Sequence, residues 1–336
     1  MPNNSIPDRP KSPAGTVIIV NYRSRAGAER CLASLQSLIN SGWLKVIVVD
    51  NDSGEGEADL IAGSFPEIEV INAGINLGFG GGNNLGLKRA VGDWVCFLNP
   101  DTQVEPGTLE VLAEYLSRNP LTGCVAPAIA NEQGKIIKSY YPFTNFFTSL
   151  LSACGLHPPI PLNHVNNRWR LTYSLESAPA IIDRSLGAAL MIPRRALEVV
   201  GGFDERFFLY SEEEDLCRRL HHAGWKVVYY PQAKVIHQGG ESARQQKPLT
   251  IAAANWSRYL YLHKHCGRLS AELSRWIWIA ALSIRLSVVF LLPSGSRRDY
   301  LKGYAWSIRA LFDRGWFDHT LRPDAKYRSG DGNLQA

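Results

Sequence analysis

The chain has 336 residues, 45% of them hydrophobic and 20% charged, with a net charge of +5. That is room for one large domain, or one domain with an appendage, and an ordinary composition for a soluble fold with a sizeable core. Six scattered cysteines (Cys31, Cys96, Cys124, Cys154, Cys217, Cys266) form no CxxC pair, which argues against a disulfide framework; Cys31 and Cys96 sit in apolar stretches as buried thiols of a reducing compartment.

Residues 1–14 are Pro-rich and polar, lack the apolar run of a secretory signal, and read as a disordered leader. Then short apolar runs alternate with helical patterns. Thr16–Tyr22, Lys45–Asn51, Ile68–Ala73 and Trp94–Asp101 have the near-continuous Val/Ile content of strands buried on both faces of a parallel sheet. Between the first two, Cys31, Leu32, Leu35, Leu38 and Ile39 mark an amphipathic helix, and Glu105–Arg118 repeats the pattern with Leu109, Leu112 and Leu116. Further strands are expected at Gly123–Ile129, Gly187–Pro193 and Lys226–Pro231, with residues 140–180 as a long loop over a site. The alternation predicts an α/β, doubly wound, mostly parallel sheet. Ligands collect at the carboxyl ends of such strands, and Asn21, Asp50, Asn51, Asn99 and Asp101 all fall there.

The Gly-rich stretch Asn76–Gly86 fails two phosphate-binding patterns. Neither Gly78-x-Gly80 nor Gly80-x-Gly82 has the third glycine of a dinucleotide fingerprint, and Leu87 stands where a P-loop needs lysine after Gly81 and Gly86. It is read either as backbone that approaches a ligand closely or as a flexible turn before a helix at 83–91. Asn99-Pro100-Asp101 closes the fourth strand, as a metal-ligating carboxylate or as an Asp-containing turn. Ser211-Glu212-Glu213-Glu214-Asp215 offers clustered carboxylates. The same residues would make a capping box from Ser211 to Glu214, with Arg218 and Arg219 pairing Glu214 and Asp215 four residues on. His237 follows a strand, as a core histidine or a ligand.

Taken in order, TVIIVNYRS, VIVVDNDSGEGE, NLGFGGGNNLG, FLNPDT and the segment from GAALMIPRR through FLYSEEEDLCRRL to VIHQGG resemble the motifs of family-2 glycosyltransferases. The likeness spans about residues 15–245 and is closest to the bacterial rhamnosyltransferase-like branch. It implies a GT-A Rossmann-like catalytic domain over 15–250 and an inverting transfer of a sugar from a nucleoside diphosphate to a cell-surface polysaccharide or lipid-linked acceptor. It favours dTDP-rhamnose, with UDP-galactofuranose, UDP-glucose and UDP-N-acetylglucosamine open. It implies nucleotide contacts for Asn21, Tyr22, Asp50, Asn51, Asn76, Gly78, Asn83 and Asn99. A divalent metal, Mg²⁺ or Mn²⁺, would be held by Asp101 and His237; the family's D-x-D motif is here Asn99-x-Asp101, so one carboxylate is missing. Glu213 matches the catalytic base, with Glu212 and Asp215 as alternatives and Glu214 assigned to helix capping, while Gly202, Phe203 and Asp204 resemble the acceptor-side turn. This chemistry needs charge neutralised on the departing diphosphate and a base for the acceptor hydroxyl.

Residues 251–336 carry thirteen Lys/Arg against six Asp/Glu and five of the nine tryptophans, so the tail holds a surplus of seven positive charges. Trp276–Leu292 is apolar but for Ser283, Arg285 and Ser287. Seventeen residues fall short of a membrane span, and a mid-run arginine is costly there. The expectation is a helical extension lying on a membrane surface, with no nucleic-acid partner, and an enzyme on the cytoplasmic face; a helix packed on the catalytic domain is the alternative. Two competing functions are a sugar-phosphate nucleotidylyltransferase, whose Gly-rich first strand end VNYRSRAG lacks, and a non-catalytic nucleotide-sugar-binding module.

Overall fold

The computed structural model describes residues 12–156, 162–165, 168–171, 178–239, 246–289 and 294–322. Most of the expected leader, part of the 140–180 loop, the last three residues of the Trp276–Leu292 run and the final fourteen residues lie outside the described residues.

The first half is a run of crossovers: β1 (Gly15–Asn21), α1 (Arg25–Asn40), β2 (Leu44–Asp50), α2 (Glu57–Ser64), β3 (Glu69–Asn72), α3 (Gly78–Leu87) and β4 (Trp94–Leu98). These strands pair in parallel in the order β3-β2-β1-β4. After β5 (Thr102–Val104), α4 (Thr108–Arg118), β6 (Thr122–Ala130) and α5 (Phe146–Ala153), β7 (Ala189–Pro193) inserts antiparallel between β4 and β6. Helices α6 (Arg194–Val200) and α7 (Glu212–His222) precede β8 (Lys226–His237), which lies parallel to β6. Thus β1, β2, β3, β4, β6 and β8 run one way, with β7, β5 and two-residue edge strands against them. The sheet is mostly parallel, as its Val/Ile runs predict.

Strand alternation divides its core in two. Val17, Ile19, Val46, Val48, Cys96 and Leu98 face one apolar layer; Ile18, Ile47, Val49, Val95 and Phe97 face the other. Covering both faces is what made the runs continuous rather than alternating.

Three boundaries differ from expectation for identifiable reasons. The run Trp94–Asp101 divides, because residues 99–101 turn and Thr102 Oγ1 donates to Asn99 O at 2.6 Å. The strand expected to stop at Pro231 continues to His237 past an irregularity between Tyr230 and Lys234, because β6 and β5 supply partners along its length. The helix expected at 83–91 begins at Gly78, so the glycines are its body rather than a turn before it. They permit contact: a Cβ on Gly86 would lie 2.7 Å from Ile18 Cγ2, and one on Gly78, at φ +77°, 2.2 Å from Phe208 O. Tertiary packing here overrides helix propensity.

The tail is three helices, α8 (Lys247–Cys266), α9 (Arg268–Val288) and α10 (Ser294–Phe312). They share a third core around Trp256, Trp278, Leu282, Leu311 and Phe317, which also takes in Ala153 and Phe208 of the preceding region. Arg285, the charge that interrupts the apolar run, turns toward α5 and donates to Ser152 O and Ala153 O at 3.3 and 3.0 Å. Among the described residues no helix is long and apolar enough to cross a membrane.

Candidate active site

A cavity of about 340 Å³ opens at the carboxyl ends of β1, β2 and β4. From the parallel half come Val20, Tyr22, Asn51, Asn76, Gly78 and Phe79, then Asn99, Pro100 and Asp101. The other wall is Leu186–Ala188 before β7, Phe208–Tyr210, Glu212 and Glu213 at the start of α7, His237 at the end of β8, and Gln246, Leu249 and Thr250 of the tail.

Alternation decides which strand-end residues face the cavity. Val20 and Tyr22 line it, so Asn21 points to the other side, and Asn51 lines it while Asp50 does not. Asn21 and Asp50, register partners, join behind the wall: Asn21 Nδ2 donates to Asp50 Oδ1 at 2.9 Å and to Glu57 Oε2 at 2.8 Å. Asn51 fixes the entry of α3, donating to Asn76 Oδ1 (2.9 Å) and Gly78 O (3.1 Å) and accepting from Leu77 N (2.9 Å). Asn83 is buried within α3, donating to Phe79 O at 3.0 Å, and stays outside the cavity lining.

Asp101 and His237 meet although 136 positions separate them. His237 pairs with Thr102 in the β8–β5 ladder, and this puts His237 Nε2 3.1 Å from Asp101 Oδ1, the carboxylate buried and the imidazole partly so. Nε2 makes no aligned hydrogen bond there.

The acidic cluster at α7 sends its side chains to different surroundings, and the expected capping box does not form. Tyr210 and Ser211 are both left-handed, φ 68° and 65°, and Ser211 makes no side-chain cap, so its hydroxyl never reaches the Glu214 amide. Glu214 instead accepts from Thr144 N and Oγ1 and faces Arg184 Nε at 3.5 Å, while Arg218 turns away from it to Tyr261 Oη at 3.2 Å. The assignment of Glu214 to capping and to an Arg218 pair is thereby corrected. The Asp215–Arg219 pair does form, at 2.7 Å.

Glu212 and Glu213 point into the cavity. Burial raises the Glu213 carboxyl above its ordinary range; Arg184, its Nη1 3.5 Å from Oε1, opposes that, and Glu214 adds to it. Burial, reinforced by the Glu213 charge, pushes Glu212 well above the usual carboxylate range, and its Oε2 has no hydrogen-bond partner among the described residues. Asp215 is different. Fully buried and outside the cavity lining, it accepts from Arg219, from Lys264 at 2.5 Å and from His265 at 2.7 Å. Burial alone would raise it, but the His265 hydrogen bond, Arg219 and Lys264 more than offset that and hold it below the usual range. The turn of Gly202, Phe203 and Asp204 is a brace outside the lining: Gly202 O accepts from Arg219, Phe203 exchanges two hydrogen bonds with Asn84, and Asp204 binds Lys264 at 2.8 Å.

A cavity at strand ends, with a carboxylate–imidazole pair and two further carboxylates on its lining, fits the family resemblance. The model described as "Glycosyl transferase family 2" matches residues 16–171, and "Glycosyl transferase family group 2" matches 94–312. The chain belongs to the family-2 glycosyltransferases. It is an inverting enzyme that uses a nucleotide-sugar donor. It is 33% identical over 284 residues to an N-acetylglucosaminyl-diphospho-decaprenol L-rhamnosyltransferase of Mycobacterium tuberculosis, covering 80% of this chain and 90% of that one. It is 22% identical over 232 residues to Rhamnosyltransferase WbbL of Escherichia coli, covering 66% and 82%. Among solved structures it is similar to a Pyrobaculum calidifontis mannosyltransferase in complex with GDP-Man and Mn²⁺, with TM-score 0.53, 17% identity and coverage of 94% and 91%. That likeness supports the GT-A fold.

Sequence reasoning missed several lining groups of this glycosyltransferase. Leu249, Thr250 and Gln246, which donates to Tyr22 Oη, carry no local motif; nor does Arg184, which faces both Glu213 and Glu214 from outside the lining.

Proposed function

We propose that the enzyme transfers L-rhamnose from dTDP-rhamnose to a membrane-held sugar linked through a diphosphate to a lipid, with Glu213 as base and Asp101 and His237 as protein ligands of a divalent cation. One observation carries the reading: Glu213 and the Asp101–His237 pair line the same cavity. The choice of sugar and acceptor rests on the 33% identical relative named above.

Glu213 in its carboxylate form takes the acceptor hydroxyl proton. The acceptor oxygen then bonds to the anomeric carbon from the face opposite the leaving group, and the bond from that carbon to the diphosphate breaks with its electron pair on the diphosphate, inverting the centre. Tyr22, Asn51, Asn76, Gly78 and Asn99 bound the nucleotide's share of the cavity, with Asn21, Asp50 and Asn83 supporting from behind. Gly202, Phe203 and Asp204 act on the acceptor side by holding α3 and α8 in place.

The residues present fit a metal. Adjacent ligands of an octahedral ion with bonds of about 2.1 Å lie about 3 Å apart, and Asp101 Oδ1 and His237 Nε2 are 3.1 Å apart without an aligned hydrogen bond. No third His, Cys, Asp or Glu joins them among the described residues. Mg²⁺ or Mn²⁺ bound there would neutralise charge on the departing diphosphate.

Membrane contact rests on α9. Leu269, Leu273, Trp276, Ile284 and Val288 are exposed at spacings that keep them on one face, and exposed Phe312 of α10 meets Trp276 edge-on at 5.5 Å. Exposed Arg268, Arg298 and Lys302 would complement anionic headgroups, which supports a reading in which the enzyme works at the cytoplasmic surface of the cell membrane. A Mn²⁺ titration with dTDP-rhamnose tests the core of the reading. Asp101→Asn should lose about 10² in metal-stimulated turnover, the scale of one charge-stabilising group; equal activity of variant and wild type across the titration would overturn it.

A further inference from the structure

Three arginines of the tail have acidic partners. Arg275 and Arg314 pair with Glu272 at 2.7 and 2.8 Å, and Arg322 faces Asp318 at 3.6 Å. Two do not. Among the described residues neither Arg258 nor Arg285 has a carboxylate within ion-pair distance, yet both sit against one ring. Their guanidinium carbons lie 4.0 and 5.2 Å from the centroid of Trp278. The ring is itself pinned: its Nε1 donates to Ser149 Oγ at 2.9 Å, and that hydroxyl bonds Ser274 Oγ at 2.6 Å.

We propose that Arg258 and Arg285, displayed on Trp278, bind the diphosphate of the acceptor. The inference rests on the acceptor class proposed above and adds its binding site.

Placement supports it. Thr250 lines the cavity, and Ala254 and Arg258 follow at successive four-residue steps on the same face of α8. Arg258 is therefore about 12 Å along the helix from the cavity wall at 1.5 Å per residue. A sugar whose hydroxyl is at Glu213 carries its anomeric diphosphate outward on that scale. The charges support it as well. Two cations held near one ring repel each other, and each keeps part of its surface open to solvent. Burial lowers the Arg258 pKa to about 10, with Glu214 opposing and Arg285 adding to the fall. A diphosphate relieves that repulsion, and the planar guanidinium fork matches its oxygens. Donors remain for it: Arg258 uses Nη1 on Asn255 Oδ1 (3.0 Å), and Arg285 uses Nη2 on the carbonyls ending α5.

The experiment compares two acceptors on the full chain with dTDP-rhamnose: a farnesyl-diphosphate-linked N-acetylglucosamine and an octyl N-acetylglucosaminide without phosphate. In Arg258→Ala the kcat/KM preference for the diphosphate acceptor should shrink about tenfold to a hundredfold through its KM, as loss of a charge-assisted hydrogen bond requires. Arg258→Lys, which keeps the charge and loses the fork, should fall between and serves if the alanine variant fails to fold. An unchanged preference in both overturns the site. A binding arm separates this outcome from failure of the proposed function. With saturating dTDP filling the donor site, farnesyl diphosphate should raise the Tm of wild type and not that of the Arg258 variants. If no acceptor is rhamnosylated but that difference holds, the arginine site stands and the reaction assigned above falls. An equal shift in both, or none in wild type, removes the site.

Discussion

The two walls of the cavity are built by different means. Tyr22, Asn51, Asn76 and Gly78 come from consecutive crossovers, where each strand end delivers its next residues to the same edge. The facing wall joins Leu186–Ala188, the start of α7, His237 and the first turn of α8, segments brought together only after β7 enters antiparallel and β8 reaches β5. The first wall holds its polar groups mainly by neutral amide hydrogen bonds. The second is held by charge, since Asp215 ties α7 to α8 through Lys264 and His265. The proposed binding groups thus sit on a sheet edge, whereas the proposed base sits on a helix that is tied to the tail.

The contrast is testable, most strongly at the base. Glu213→Gln should lower kcat by about 10²–10⁴, the range for loss of a general base, with dTDP-rhamnose affinity retained by the other wall. Glu214→Gln, which loosens Thr144 and Arg184, should act on stability instead. Single-turnover rates of the two variants decide between them, and an inactive Glu214→Gln with active Glu213→Gln would reverse the assignment.

Next in size is the charged hub. Asp215→Asn leaves Arg219, Lys264 and His265 around a neutral group and should cost about 3 kcal/mol by chemical denaturation, lowering Tm. The Asp215 carboxyl is held below its unfolded value of about 3.9. Its contribution is therefore complete above about pH 4 and is lost as the pH falls through the lowered native value, so wild type should lose stability in acid more steeply than the variant. Matching acid curves would remove the hub.

A smaller effect is expected at Arg184. A base whose carboxyl is raised by burial works only once ionised, so the acid limb of the kcat profile lies above the ordinary glutamate range. Arg184→Gln removes the charge that opposes this rise and should move the limb about one pH unit higher. A limb that stays put, or moves lower, shows that Glu213 does not set the profile. Smallest is the outer face of α9. Trp276→Glu should weaken flotation on anionic liposomes about tenfold, the worth of burying one large apolar side chain, without altering turnover on a water-soluble acceptor; unchanged flotation assigns that face to something other than lipid.

The sequence alone determined the parts that depend on local repetition. Continuous Val/Ile runs required a sheet covered on both faces, and strand-end polar residues marked its ligand edge. Tyr22, Asn51, Asp101 and Glu213, singled out by strand ends and by motifs, all line the cavity, because a strand end and a motif are contiguous. Tertiary structure decided the rest. Alternation sent Asn21 and Asp50 behind the wall, left-handed Tyr210 and Ser211 prevented the capping box, and Glu214 and Asp215 went to partners 70 and 50 positions distant. It also brought His237 to Asp101, turned Arg285 inward, and put Gln246, Leu249 and Thr250 over the cavity. Contacts between segments far apart in the chain depend on how sheet and helices pack, and no local periodicity encodes that packing.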